Sequence, residues 1–169
     1  KHAKLIPAEV MDSFKRRRAQ WMRLREQEEQ AKTRMERIAD TDTDAKRIMS
    51  APGVGAQTAV AMLVHIGGDI HRFKDSRQFA ASIGLVPKQN STGGNTTLNG
   101  ITKRGPQRLR SNLVQCANVA LLLADKLKGR FGEWVRKMQN SGKKHGVIAC
   151  AVAAKLARII YRLMKDKVE

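Results

Sequence analysis

The sequence is short of acid. Its 169 residues carry 15 Asp and Glu against 33 Lys and Arg, a formal net charge of +18 and a sequence pI near 10.7. So few carboxylates leave no convincing set for two-metal phosphoryl transfer: Asp69, Asp75, Asp125 and Glu133 are the only acids between residues 51 and 165. Two cysteines, Cys116 and Cys150, are too few for a disulfide framework and sit among Ala and Val, as small core residues do. Aromatic residues reach only 4%, so a core must lean on Ala, Val, Leu, Ile and Met. Apolar stretches such as Ala117 to Ala124, with one Asn inside it, fall far short of a membrane span. No secretory signal, zinc-type Cys/His spacing or nucleotide-hydrolase phosphate loop is present. These absences predict a chain of the reducing cytoplasm with no membrane partner and no metal or cofactor of its own. It opens on Lys1 rather than Met, as a fragment of a longer protein would.

What is present is basic and helical. Hydrophobic residues at 41% are enough for a real core, and the length suits one domain with an appended arm. Residues 1–50 carry 13 basic and 9 acidic residues, the remainder 20 and 6, so the charge gathers after residue 50. Phe14, Trp21 and Met35, and then Leu24, Ala31 and Ile38, fall on heptad positions in a stretch with neither Gly nor Pro from Glu9 to Ala51. The pattern serves equally as half of a coiled coil or as an amphipathic helix laid on its own domain. Residues 1–43 are expected to form this arm and residues 44–169 a compact helical domain. The Thr41–Asp44 run supplies caps for a short helix up to Ser50, and further helices are expected near Ala56–Ile66, Ser76–Ile83, Pro106–Lys128, Phe131–Gln139 and Gly146–Met164. The segment from Gly84 to Gly105, rich in Gly, Ser and Asn, is expected as a loop in which Val86, Thr96 to Leu98 and Ile101 form short strands at most. The predicted class is mainly α, with a coiled-coil-like N-terminal helix ahead of the compact domain.

Three features carry chemistry. The run Ile48 to Leu63, with Pro52-Gly-Val-Gly55 at its centre, has the pattern of a helix-hairpin-helix: Gly53 and Gly55 permit positive φ and a close phosphate, and Gly53, Val54 and Gly55 then offer backbone N–H groups at a helix start. The same run also reads as a tight helical turn with no ligand. Second, no acid occurs between Asp75 and Asp125, a window holding Lys88, Lys103, Arg104, Arg108 and Arg110. Ser91 lies in its glycine-rich part, where a hydroxyl amid cations meets a phosphodiester, although a loop serine by itself is usually a turn residue. Third, Lys155, Arg158, Arg162 and Lys165 recur every three or four residues and make one basic stripe on the last helix.

Together these segments resemble the insertion-sequence transposases guided by a bridge RNA, relatives of the pilin-gene invertases, in their C-terminal domain. The resemblance rests on Pro52–Gly55 with Thr58-Ala59, Phe73, Phe79-Ala80, Gly84-Leu-Val-Pro87, Ser91-Thr-Gly93, Ile101-Thr-Lys-Arg-Gly105, Leu109-Arg110 and Ala153–Ile160, in order over residues 45–165. It implies that Ser91 attacks DNA and becomes a phosphoserine link. It implies too that four acids binding Mg²⁺ belong to an RNase-H-like domain absent from this chain, so that the chain alone is inactive. The heptads look like that family's coiled coil, which implies a homodimer or higher assembly, and DNA and a guide RNA become the expected partners. One departure is Gly100, where many members carry a basic residue.

The runner-up is a non-catalytic helix-hairpin-helix module of a repair or junction-binding protein, and a structured RNA-binding protein is a third reading. All three require a phosphate-contacting surface. Contacts to six to ten phosphates predict an affinity that falls about a thousandfold or more between about 50 and 200 mM salt. A salt titration of duplex binding checks this, and a flat response would assign the charge to something else.

Overall fold

The computed structural model describes residues 7–92 and 95–166, with the backbone alone described at 90–92 and 95–99. The chain runs α1 (Ala8–Thr41), α2 (Thr43–Met49), α3 (Ala56–Ile66), α4 (Ser76–Ser82), β1 (Pro87–Thr92), β2 (Asn95–Ile101), α5 (Gln107–Leu122), α6 (Gly129–Gln139) and α7 (His145–Asp166), with 3-10 turns at Ile70–Arg72 and Ala124–Lys126. The mainly α class follows directly.

Unbroken by Gly or Pro, α1 continues for 34 residues, about 51 Å at 1.5 Å per residue. Only its C-terminal end enters the core: Ala39 is fully buried, and the helix packs on α2 and α3. Phe14 and Trp21 are 60% and 52% exposed, and Leu24 and Met22 are each 55% exposed. The reading of α1 as an amphipathic helix laid on its own domain therefore fails for its first two-thirds, where Val10, Phe14, Trp21, Met22 and Leu24 are exposed among the described residues. Asp42 ends the helix in extended backbone and starts α2, its Oδ1 accepting from the N–H of Ala45 at 2.8 Å.

The domain is built around α7. Ten of its residues are buried, and Ala149, Ala153, Ala154 and Ala157 among them let α4 and α5 approach closely. Phe79, Ile83, Leu113, Leu156 and Ile160 fill the space between. The Tyr161 hydroxyl reaches across to donate to the Phe73 carbonyl at 3.0 Å. His65, Phe73, Phe79 and Tyr161 form a ring cluster, with Phe73 edge-on to Phe79 at 4.9 Å.

Two expectations need correction. Residues 87–101 form an antiparallel hairpin, not a loop with fragments of strand: Gln89 pairs with Leu98, Asn90 with Thr97, Ser91 with Thr96 and Thr92 with Asn95, after a bulge between Pro87 and Gln89. Thr, Ser and Asn supply the backbone N–H and C=O groups of a ladder as well as apolar residues do. The helix expected from Pro106 to Lys128 ends at Leu122, where a 3-10 turn diverts the chain, and α6 begins at Gly129.

The turn between α2 and α3 uses its glycines unequally. Gly53 has φ +77°, and a Cβ there would lie 2.6 Å from the Cys116 carbonyl oxygen on α5. Gly55 has φ −104° with open space around it, so it does not need the left-handed region expected of it. Gly53→Ala should therefore cost more than about 2 kcal/mol of stability, whereas Gly55→Ala should stay within about 0.5 kcal/mol. Urea unfolding measures both, and equal losses would contradict the packing described.

Candidate nucleic-acid interface

The residues singled out by sequence separate into a groove and a neck. The groove encloses about 1260 Å³ between α1, the Pro52–Gly55 turn with the start of α3, and α5. Gly53, Gly55 and Arg108 line it, with Gln57, Asn112 and Gln115 beside them. At its floor the α3 helix begins with no side-chain cap on Gly55, so first-turn N–H groups and the positive end of the helix dipole bear on the groove.

The three N–H groups expected to hold a phosphate do not act together. Val54 is buried and its N–H donates to the Ala51 carbonyl at 3.1 Å. The Gly55 N–H lies against the Cys116 thiol, which also meets the Thr58 hydroxyl at 3.4 Å. Burial pushes that thiol above its ordinary range, with the two hydrogen bonds opposing it. The N–H groups left open at this end are therefore those of the first turn of α3, not those of Val54 and Gly55.

Two properties of the groove do not show in the distribution of charge along the sequence. Its α5 wall is an amide and hydroxyl face, Gln107, Ser111 and Gln115 at four-residue spacing, a signal legible only once α5 is known to be a helix. Its α1 wall carries Glu28, Glu29 and Glu36 together with Arg25 and Lys32. Those carboxylates make the α1 wall less favourable to an anion than the α3 and α5 walls.

Lys103, Arg104 and Arg110 stand elsewhere, at the neck of the hairpin, and Lys88 is exposed on β1. Two backbone segments touch at the neck. A Cβ on Gly84 would lie 2.1 Å from the Arg104 carbonyl oxygen, and one on Gly105 would lie 2.0 Å from that of Ser82. Lys103 takes φ 57°, unusual for a residue with a side chain. The half-buried Arg110 fastens the crossing: its Nη1 donates to the carbonyls of Ile83 at 3.1 Å and Arg104 at 3.2 Å. Arg110 thus holds the neck together, a task the expectation of a phosphate contact did not foresee. Lys103 and Arg104 are exposed on the leg of the hairpin that follows β2.

Ser91 lies beyond this neck, roughly 13 Å along β1 from Pro87 at 3.3 Å per residue. Its backbone pairs with Thr96, next to the last pair before the tip, while its side chain falls outside the described residues. A different serine does meet a histidine. His65 Nε2 is 2.8 Å from Ser82 Oγ. That hydroxyl gives its proton to the Phe79 carbonyl at 2.8 Å, so the imidazole must donate and cannot act as its base. Burial first, then the nearby Arg72, lowers the His65 pKa and keeps the ring neutral for this strut between α3 and α4.

The residues described do not fit Mg²⁺. No three of the described His, Cys, Asp and Glu residues lie close enough together to share an ion. The Asp75 carboxylate is committed to helix capping: it accepts from Gln78 and Arg77 N–H groups, and the Gln78 bond above all lowers its pKa. Asp69 likewise accepts from the His71 N–H at 2.8 Å. Among the described residues no helix is long and apolar enough to cross a membrane.

Arg110→Met should loosen the neck while leaving the helical core intact. Amide exchange at Leu85, Thr102 and Lys103, whose N–H groups bond across or beside the crossing, should accelerate by at least an order of magnitude, the share of a lost hydrogen bond worth about 1.4 kcal/mol. Hydrogen exchange resolved by residue measures this, and unchanged rates at those amides would remove the fastening role from Arg110.

The sequence is similar to those of known proteins. Residues 45–131 match the family model described as Transposase IS116/IS110/IS902 family. The chain is 46% identical over 124 residues to the transposase for insertion sequence element IS1328 of Yersinia enterocolitica, covering 73% of this chain and 36% of that protein. It is 37% identical over 128 residues to the transposase for insertion sequence element IS1111A of Coxiella burnetii, covering 75% and 34%. It is also similar to a pilin gene-inverting protein of Moraxella bovis, 28% identical over 123 residues, covering 72% and 37%. The chain thus spans about a third of the length of these relatives.

Proposed function

The chain belongs to the IS116/IS110/IS902 transposase family, and we propose that it forms the DNA-binding and recombinase portion of such an enzyme, with Ser91 as the nucleophile. The observation that carries this reading is the place of Ser91 in the fold. Its backbone lies near the tip of a hairpin with no acid in it, on a neck built from two crossing backbones and flanked by Lys103 and Arg104. Two relatives are named for moving insertion sequences and a third for inverting a pilin gene, and on this proposal the present chain likewise acts on DNA.

The chemistry proposed is a phosphoryl transfer. The Ser91 oxygen attacks a backbone phosphorus, the bond from that phosphorus to one sugar oxygen breaks, and the departing oxygen takes up a proton while the hydroxyl proton passes to a base. The phosphoserine diester keeps the energy of the broken bond, so the hydroxyl of an incoming strand completes the exchange without a nucleotide being consumed. A serine hydroxyl needs an activating base or metal environment. With Asp69 and Asp75 engaged as caps, we assign the base and the carboxylates for Mg²⁺ to an RNase-H-like domain outside this chain. The phosphate-contacting set would be Gly53, the first turn of α3, Lys88, Lys103, Arg104 and Arg108.

The turn between α2 and α3 serves in this proposal as a helix-hairpin-helix that positions a duplex without reading it. A guide RNA is the second partner proposed, and the place of action is the cytoplasm, on the nucleoid. The bare stripe on α1 is assigned to a coiled coil with a second copy, since burying each such side chain is worth about 1.5–3 kcal/mol. A non-catalytic junction-binding module would use the groove alone and leave the projecting hairpin idle.

The test uses the complete protein and DNA carrying its element ends. Ser91→Ala should abolish the covalent protein–DNA adduct on a denaturing gel and leave duplex affinity unchanged. The 169-residue chain alone should give no strand transfer with Mg²⁺, and adding the acidic domain should restore it. An adduct that persists in the variant removes Ser91 from the role.

A further inference from the structure

The basic stripe of α7 plays no part in the groove or the neck. Lys155, Arg158, Arg162 and Lys165 are all exposed, and none of them lines the groove. At 100° per residue they fall within about 80° of arc and extend for about 15 Å of helix. The opposite face of α7, with Val152, Leu156 and Ile160, is sealed in the core, so the stripe is fixed to the most firmly held element of the fold.

Two comparisons within this molecule separate the stripe from an ordinary solvated face. On α1 the cations have acids at helical spacing, as in Lys15 with Asp12 and Lys32 with Glu29. On α7 the ion pair found among the described residues is that of Arg162 with Asp166, at 3.9 Å and well exposed, and such a pair is worth little. The ends of the stripe also rest on aromatic rings. Lys155 Nζ lies 5.5 Å from the centroid of Trp134, which stacks on Phe131, and Lys165 Nζ lies 5.8 Å from that of Tyr161. Rings beneath the ammonium groups hold them in place before any ligand arrives, which lowers the entropy lost on binding.

We infer that the α7 stripe is a second phosphodiester-binding surface, separate from the groove and neck, so that one copy of the chain holds two nucleic-acid segments at once. A row of four cations about 15 Å long, with a single weakly paired acid, matches a phosphate backbone in sign. It offers no bidentate pocket for a single small anion. The inference rests on the proposed nucleic-acid role of the groove and neck only for the first of the two segments.

The experiment measures binding of a 20-base-pair duplex and of a folded RNA hairpin to the full chain across a salt series. It compares Arg158→Gln/Arg162→Gln with Lys103→Gln/Arg104→Gln/Arg108→Gln. Because all of these side chains are exposed, thermal melts should match the unaltered chain and exclude misfolding. The stripe variant should lower the salt slope by about 1.8 for duplex or about 1.4 for single-stranded contacts, and the arm that responds identifies the nucleic acid bound there. On an immobilised duplex, the unaltered chain should also capture a second, separately labelled duplex or RNA, and the stripe variant should hold the first but lose the second. An unchanged slope with both probes, or undiminished capture of the second segment, overturns the inference. Failure of the groove and neck variant to weaken binding, with the stripe variant still losing slope, would instead overturn the groove reading and leave the stripe standing.

Discussion

The hairpin depends on one close approach of backbone to backbone. At the neck, Gly84 passes over Arg104 and Gly105 passes over Ser82 at separations that admit no Cβ. Arg110 then ties the two legs together through the carbonyls of Ile83 and Arg104. A two-stranded hairpin is marginal by itself. Here its root is locked to the ends of α4 and α5, both of which pack on α7. The rigidity of the core thus passes through two glycines and one arginine to the segment carrying Ser91. The His65–Ser82 strut braces the same end of α4 from the side of α3.

Charge is organised around this framework. The arm mixes signs and leaves its apolar residues bare, so its surface suits a partner helix better than a polyanion. Beyond residue 50, the cations singled out by sequence fall in a groove, at a neck and on a helix stripe, with α5 contributing Arg108 to the first and Arg110 to the second. The groove is not uniformly positive, because α1 contributes Glu28, Glu29 and Glu36 to one wall. That asymmetry makes one side of the groove more favourable to an anion than the other, which a net charge of +18 does not convey.

Most helices were legible because their signals are local. The Gly-free and Pro-free run from Glu9, the Asp42 and Asp75 caps and the αL glycine after Ile66 each act within one turn of chain. The helix expected near Ala56–Ile66 forms over those residues. The hairpin was less legible. Its strands carry Thr and Asn rather than buried Val or Ile, so the usual period-two alternation of apolar residues is absent. The candidate site was legible in its residue types but not in its division of labour. Arg110 follows Arg108 by two residues, yet the roughly 200° between them around α5 separates a groove-lining cation from a fastening one. Whether Gly53 or Gly55 needs the left-handed region depends on the distance to Cys116, 63 residues after Gly53, and no local pattern encodes it.

The account stands or falls on which atom takes the DNA. The complete protein can be trapped on a suicide DNA substrate, digested with trypsin and nuclease, and searched by fragmentation mass spectrometry for a residue bearing a nucleotide phosphate. The account predicts the added mass on the peptide Gln89–Lys103, at Ser91 and not at Thr92, Thr96, Thr97 or Thr102. A nucleotide adduct on any other residue, or strand exchange proceeding with no protein–DNA adduct, would contradict it.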